Sequence, residues 1–198
     1  MKSIVVYCGS NPGKNPLYLN VATQTGQMLA KKQIKVVYGG GNLGLMGAVA
    51  DAALQAGGEV VGIIPNFLAQ LEVAHATLTE IHFVENMHQR KAQMVALSDG
   101  VIALPGGYGT LDELFEILAW SQLKTFHGPV GVLNVNGFYD HLLAHCQKMV
   151  DEGFLRAENL ELMIVDTTLD GLLAKMQESY NRRTNESETL SKSLYVVK

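Results

Sequence analysis

At 198 residues, with 47% hydrophobic and 17% charged residues and a formal net charge of −4, the chain has the composition of one ordered domain with a full core. That balance excludes an intrinsically disordered chain. Its 15 basic residues, scattered among 19 acidic ones, exclude the basic track needed to bind along a nucleic-acid backbone. No run approaches the ~18 apolar residues of a membrane span, and Met1-Lys2-Ser3 leads straight into an apolar segment. No signal peptide or membrane partner is therefore expected, and the expected compartment is the cytoplasm. Two cysteines make no disulfide framework or zinc site, and Cys8 reads as a small buried hydrophobe rather than a nucleophile.

Taken in chain order, short apolar runs alternate with stretches of helical period. Ile4 to Cys8 reads as a strand and Leu17 to Lys32 as a helix; Lys35 to Tyr38 and Leu45 to Ala56 repeat the pair. Val60 to Ile64 and Ile81 to Val84 read as strands on either side of a longer connection from Pro65 to His75, which is either a short irregular helix or a flap. A helix over 87–98, a strand Val101 to Leu104, a helix over 110–124, a strand Val130 to Val135 and a helix over 138–152 follow. Leu160 to Val165 reads as a last edge strand and Leu169 to Tyr180 as a last helix, ahead of a polar tail over 181–198 expected to be mobile. Strands that are apolar throughout belong to a parallel sheet covered on both sides. The expected fold is a single α/β domain over residues 1–180, a Rossmann-like doubly wound parallel sheet with helices on both faces. Such folds bind ligands at the carboxyl ends of their strands, and each glycine-rich run, Gly9 to Gly13, Gly39 to Gly47 and Gly106 to Gly109, falls at such an end.

Pro105-Gly106-Gly107-Tyr108-Gly109-Thr110-Leu111-Asp112-Glu113 holds an anion-binding turn and a helix start. The glycines let backbone N–H groups approach a phosphate while the helix directs its positive end at it. Thr110 and Glu113 also fit a capping box, which accounts for the acid but not for the three glycines before it. Leu111, Leu114, Phe115 and Leu118 make the expected buried stripe, leaving Glu113 off the core and Glu116 solvated. Gly39 to Gly44 fits the dinucleotide pattern GxGxxG, but Glu59, twenty residues on, precedes a strand and points to the wrong sheet edge, so a dinucleotide is disfavoured. Gly40 and Gly41 are read instead as sugar or phosphate contacts.

Asn86 caps the helix Met87-His88-Gln89-Arg90-Lys91-Ala92-Gln93-Met94, in which Met87 and Met94 mark one face and Arg90 and Lys91 flank it, within reach of one cleft. His141 and His145 stand four apart but lack the glutamate of HExxH and a third ligand, so they read as surface residues. Neither a metal nor a cofactor is called for, and no GxSxG elbow supports nucleophilic hydrolysis.

In combination, the Gly39–Gly47 run, Arg90-Lys91 and the 105–113 motif resemble the lonely-guy (LOG) family of cytokinin riboside 5′-monophosphate phosphoribohydrolases, over about residues 1 to 180. The resemblance implies cleavage of the N-glycosidic bond of an N6-modified adenosine 5′-monophosphate, or of AMP, to give the free base and ribose 5-phosphate. It assigns Glu113 to the cationic sugar of the transition state and Arg90, with Lys91 close by, to the departing base. Gly106, Gly107, Tyr108, Gly109 and Thr110 would hold the 5′-phosphate, Ser10 would border the sugar, and Glu72 would contact substrate. Ala119 replaces a hydroxyl residue common in plant members near the base pocket. Homodimers are implied as well. The alternative is a non-catalytic nucleotide carrier on the same fold, as in molybdenum-cofactor carriers; a DNA-processing Rossmann module has the wrong charge.

Overall fold

The computed structural model describes residues 1–69 and 74–195, with side chains through residue 185. In chain order its elements are β1 (Ser3–Tyr7), α1 (Pro16–Lys31), β2 (Lys35–Tyr38), α2 (Gly44–Gln55), β3 (Val60–Pro65), α3 (Asn66–Ala69), β4 (Glu80–Val84), α4 (Met87–Ala96) and β5 (Gly100–Ala103). There follow α5 (Tyr108–Gln122), β6 (Val130–Leu133), a 3-10 turn (Val135–Gly137), α6 (Asp140–Asp151), α7 (Ala157–Leu160), β7 (Met163–Asp166) and α8 (Leu169–Tyr195). The seven strands form one sheet in the order β4-β3-β2-β1-β5-β6-β7, and each pair is parallel.

Alternation along the strands divides the core between the two faces, as a doubly wound sheet requires. Ile4, Val6, Val36, Ile102 and Leu104 point to one side, where α1, α2 and α8 cover them with residues such as Leu29, Val49 and Leu172. Val5, Tyr7, Val37, Val101 and Ala103 point to the other, against Met94 of α4, Leu114 and Ile117 of α5 and Cys146 of α6. Each fully buried aliphatic side chain contributes about 1.5–3 kcal/mol. The strands from β1 to β4 extend the sheet one way; the crossover through α4 returns the chain to β5, beside β1. Strand order therefore reverses between β1 and β5, and the loops after these two strands open into a crevice.

Several expectations change. The last helix, expected to end at Tyr180, continues to Tyr195 in α8, over residues that contain neither Gly nor Pro. The last strand starts at Met163, not Leu160, because Ala157–Leu160 form a short helix before it. The connection after β3 begins as a helix of four residues and rejoins the sheet edge at a bridge between Ala74 and Gly41. Glu59 immediately precedes β3 and pairs with Lys35 at 3.3 Å, at the sheet edge away from the crevice, as its sequence position requires.

Candidate active site

The crevice is a cleft of about 460 Å³. Its floor is the turn joining β5 to α5, held to the first loop by the Gly9 amide, which donates to the Pro105 carbonyl at 3.1 Å. Helix α5 begins at Tyr108 with Gly107 as its N-cap, in extended backbone and with no side chain capping the first turn. The proposed capping box therefore does not form: Thr110 lies inside the helix, and the first-turn amides are left for a ligand. A Cβ at Gly106 would overlap Thr110, whereas Cβ atoms at Gly107 and Gly109 would meet nothing within 4 Å. Glycine within a first turn costs about 1 kcal/mol relative to alanine, and packing gives no reason for it at 109.

The wall above this floor holds two buried charges. Glu113 is 9% exposed and forms no hydrogen bond or ion pair among the described residues. Burial pushes its carboxyl up to about 7, against the opposing pull of Arg90 and, more weakly, Lys91; Asp112 and Glu116 add to the rise. Arg90, 7% exposed, donates from Nη2 to the Gly39 carbonyl at 3.3 Å and from Nη1 to Met87 Sδ at 3.7 Å, while its Nε has no partner. A side chain at position 39 would overlap the guanidinium, so Gly39 is the residue that admits Arg90. A buried carboxylate and a buried guanidinium both line the cleft, near enough to shift titration, yet they do not pair. This is costly for folding alone, and perturbed groups of this kind cluster at functional sites.

Of the residues singled out in the sequence, Ser10, Arg90, Gly106, Gly107, Tyr108, Gly109, Thr110 and Glu113 line this cleft together. Tyr108 is 95% exposed at its rim. Gly40 and Gly41 do not line it: the Gly40 carbonyl accepts from the His75 amide at 3.0 Å and Gly41 bridges Ala74, so both seat the returning connection. Lys91 also lies outside the cleft, its ammonium 3.0 Å from Asp112 Oδ2 and 3.0 Å from Glu116 Oε1, which makes Glu116 a paired residue rather than a solvated one. Glu72 lies outside the described residues. The buried side of α5 is Thr110, Glu113, Leu114, Ile117 and Ser121, while Phe115 is exposed; Glu113 is thus part of the covered face. Ala119 is exposed and off the cleft. His141 and His145 are exposed on α6, and Cys8 is buried, its thiol pushed up by that burial.

Sequence reasoning missed Tyr18 and Phe138, which line the cleft and stack edge to face with ring centroids 5.6 Å apart. They come from α1 and from the end of the 3-10 turn, 120 positions away, and no local pattern joins them. It also missed the His75–Asp51 contact at 3.0 Å.

A parallel sheet with its anion-binding turn and acid at the reversal of strand order defines a nucleotide-binding α/β protein. The protein-family model described as "Possible lysine decarboxylase" matches residues 46–176. The chain is 48% identical over 177 residues to the probable cytokinin riboside 5′-monophosphate phosphoribohydrolase LOGL5 of Oryza sativa subsp. japonica, covering 89% of this chain and 72% of that protein. It is 44% identical over 176 residues to cytokinin riboside 5′-monophosphate phosphoribohydrolase LOG5 of Arabidopsis thaliana, covering 89% and 77%. The chain belongs to this phosphoribohydrolase family. Among solved structures, the molybdenum cofactor binding protein of Rippkaea orientalis superposes with a TM-score of 0.67 at 22% identity, over 90% of this chain and 97% of that one. DNA processing protein A of Helicobacter pylori gives 0.54 at 15% identity, over 90% and 81%. At such identities the two share the fold. The decarboxylase description does not fit the residues present, since no lysine lines the cleft among the described residues and a Schiff base to pyridoxal phosphate needs one.

Proposed function

We propose that the protein hydrolyses the N-glycosidic bond of adenosine 5′-monophosphates, N6-modified or plain, releasing the base and ribose 5-phosphate. The observation that carries this reading is the unpaired, buried Glu113 beside an unpaired Arg90 Nε, above a helix N-terminus with no cap. The 5′-phosphate sits at the amides of Gly107 to Thr110, with Ser10 at the sugar, and binding there fixes C1′ relative to Glu113. Cleavage sends the bonding electron pair to the purine nitrogen and leaves cationic character on the sugar. The Glu113 carboxylate stabilises that cation and orients the water whose hydroxyl closes on C1′, while the water's proton leaves for the base or solvent. Arg90 supports the negative charge on the departing purine. Glu72 and Lys91 are the remaining substrate-contact assignments by family likeness, and the geometry of Lys91 favours a different role, argued below.

A cytoplasmic homodimer completes the proposal; the exposed apolar Leu97, Phe115 and Leu123 of the α4 and α5 region support a contact between copies. Among the described residues no helix is long and apolar enough to cross a membrane. Incubation with AMP and with isopentenyladenosine monophosphate, followed by chromatography, tests the activity. Free adenine or isopentenyladenine, released with equimolar ribose 5-phosphate, is expected. Nucleotide that binds without release of base would instead make the protein a carrier.

A further inference from the structure

Two carboxylates line the cleft, Asp112 and Glu113, and they differ in one respect. Asp112 is held by Lys91 Nζ at 3.0 Å; Glu113 has no such partner. Lys91 is itself 7% exposed, and it also holds Glu116 at 3.0 Å, so one buried ammonium answers both acidic neighbours of Glu113 on α5. Its predecessor Arg90 turns about 100° away around α4, into the cleft. The adjacent cations thus divide: one faces the ligand, the other the helix that bears the acid.

We propose that Lys91 is a positioning residue that neutralises Asp112 and Glu116, so that the phosphate end of the cleft is not repelled by Asp112 and Glu113 is the one uncompensated carboxylate facing the substrate. This rests on the hydrolase reading above. The charged and titratable groups around Glu113 are Arg90 and Lys91 from α4, Asp112 and Glu116 from α5, and Tyr7 and Cys8 at the end of β1. Burial keeps the last two neutral, their protons held above the ordinary range. Without Lys91, the two freed carboxylates act on Glu113 in one direction only, towards retention of its proton. They act on a bound phosphate in one direction too, towards its release.

The test compares base release from AMP, as a function of pH, in wild type, K91M and K91M/D112N/E116Q. Methionine keeps the length and apolar stem of lysine, and the triple variant removes the ammonium together with the charges it answers. K91M should raise KM for AMP about tenfold and move the acid limb of kcat/KM upward by about one pH unit, a tenfold loss below the limb. The triple variant should bring both within about threefold of wild type. A folded triple variant as impaired as K91M would overturn the proposal, because Lys91 would then act on the substrate itself; so would a K91M enzyme with wild-type kinetics. Should K91M alone fail to fold, the triple variant still decides. A second readout needs no turnover: ¹³C-carboxyl titration of the free protein, with the Glu113 signal assigned by its loss in E113Q. Titration about one unit higher in K91M than in wild type, reversed in the triple variant, is expected, and an unmoved signal would refute the proposal. Failure of the hydrolase reading is separate, since it appears as wild-type protein that releases no base.

Discussion

Replacement of Glu113 by glutamine should stabilise the protein at alkaline pH and abolish base release in the same stroke. A carboxyl raised from 4.5 to about 7 holds its charge in the native state at a cost of about 3 kcal/mol, at roughly 1.4 kcal/mol per unit. The folded value is raised, so between 4.5 and 7 the native state binds more protons than the unfolded one, and stability falls as pH rises through that window. Glutamine has the size of the protonated acid and no charge to lose. Burial of its amide without a partner costs about 1–3 kcal/mol, but that cost is the same at every pH. The stability difference between E113Q and wild type should therefore shift in favour of E113Q by about 2–3 kcal/mol from pH 5 to pH 8, or about 5–10 °C in Tm for a domain of this size. Urea or thermal unfolding at four pH values measures it, with AMP binding and base release followed on the same samples. A difference that stays flat with pH would mean that Glu113 is not a desolvated, uncompensated acid, and the electrostatic basis of the site would go with it. Wild-type turnover in E113Q would reduce the residue to a structural one.

In wild type, kcat/KM should lose about tenfold per pH unit below about 7, where Glu113 takes up its proton; a profile flat from pH 5 to 8 would exclude the carboxylate form as the working one. Arg90→Ala should slow base release by about 10²–10⁴-fold, and Gly39→Ala should approach that loss without touching substrate, because the new methyl displaces the guanidinium; His141→Ala, on the exposed face of α6, serves as the unaffected control. Gly109→Ala should leave the fold intact or up to about 1 kcal/mol more stable, its Cβ meeting nothing within 4 Å, while KM for AMP rises at least about tenfold. Unchanged KM there would remove the helix start as the phosphate site.

How much the sequence discloses follows from which forces are local. The sheet was legible because its central strands are apolar along nearly their whole length, as in Val101-Ile102-Ala103, the pattern expected where both faces are covered. The floor of the cleft was legible because glycines cluster at strand ends. What failed were questions of rotation and reach. On α5, periodicity groups Phe115 with Leu111, Leu114 and Leu118, yet Phe115 is exposed while Ile117 and Ser121 are buried with Leu114, a rotation of the helix about its axis that only tertiary packing sets. The same rotation buries Glu113. For Gly40 and Gly41, residue type signalled a close approach, but the approaching group is the backbone of Ala74 and His75, which sequence proximity does not show. Tyr18 and Phe138 come from α1 and from the turn after β6, and nothing short of the whole topology brings them together.

The separation of Arg90 from Glu113 is the feature that structural reasons alone leave unexplained. Elsewhere in this chain a buried charge finds its opposite: Lys91 takes two carboxylates. At the cleft the two strongest candidates for a pair stay apart, and the guanidinium spends its Nη2 on the backbone of Gly39 with Nε left without a partner. In the mechanism proposed above, each group stays available to a charge that exists only while the glycosidic bond breaks, which a direct pair between them would preclude. The glycine at 39 leaves room for the arginine on one side, and the lysine next to it pairs with the acids on either side of Glu113 on the other. Restoring stability by removing the acid should for that reason cost the chemistry, and the two effects should arise from the same few atoms.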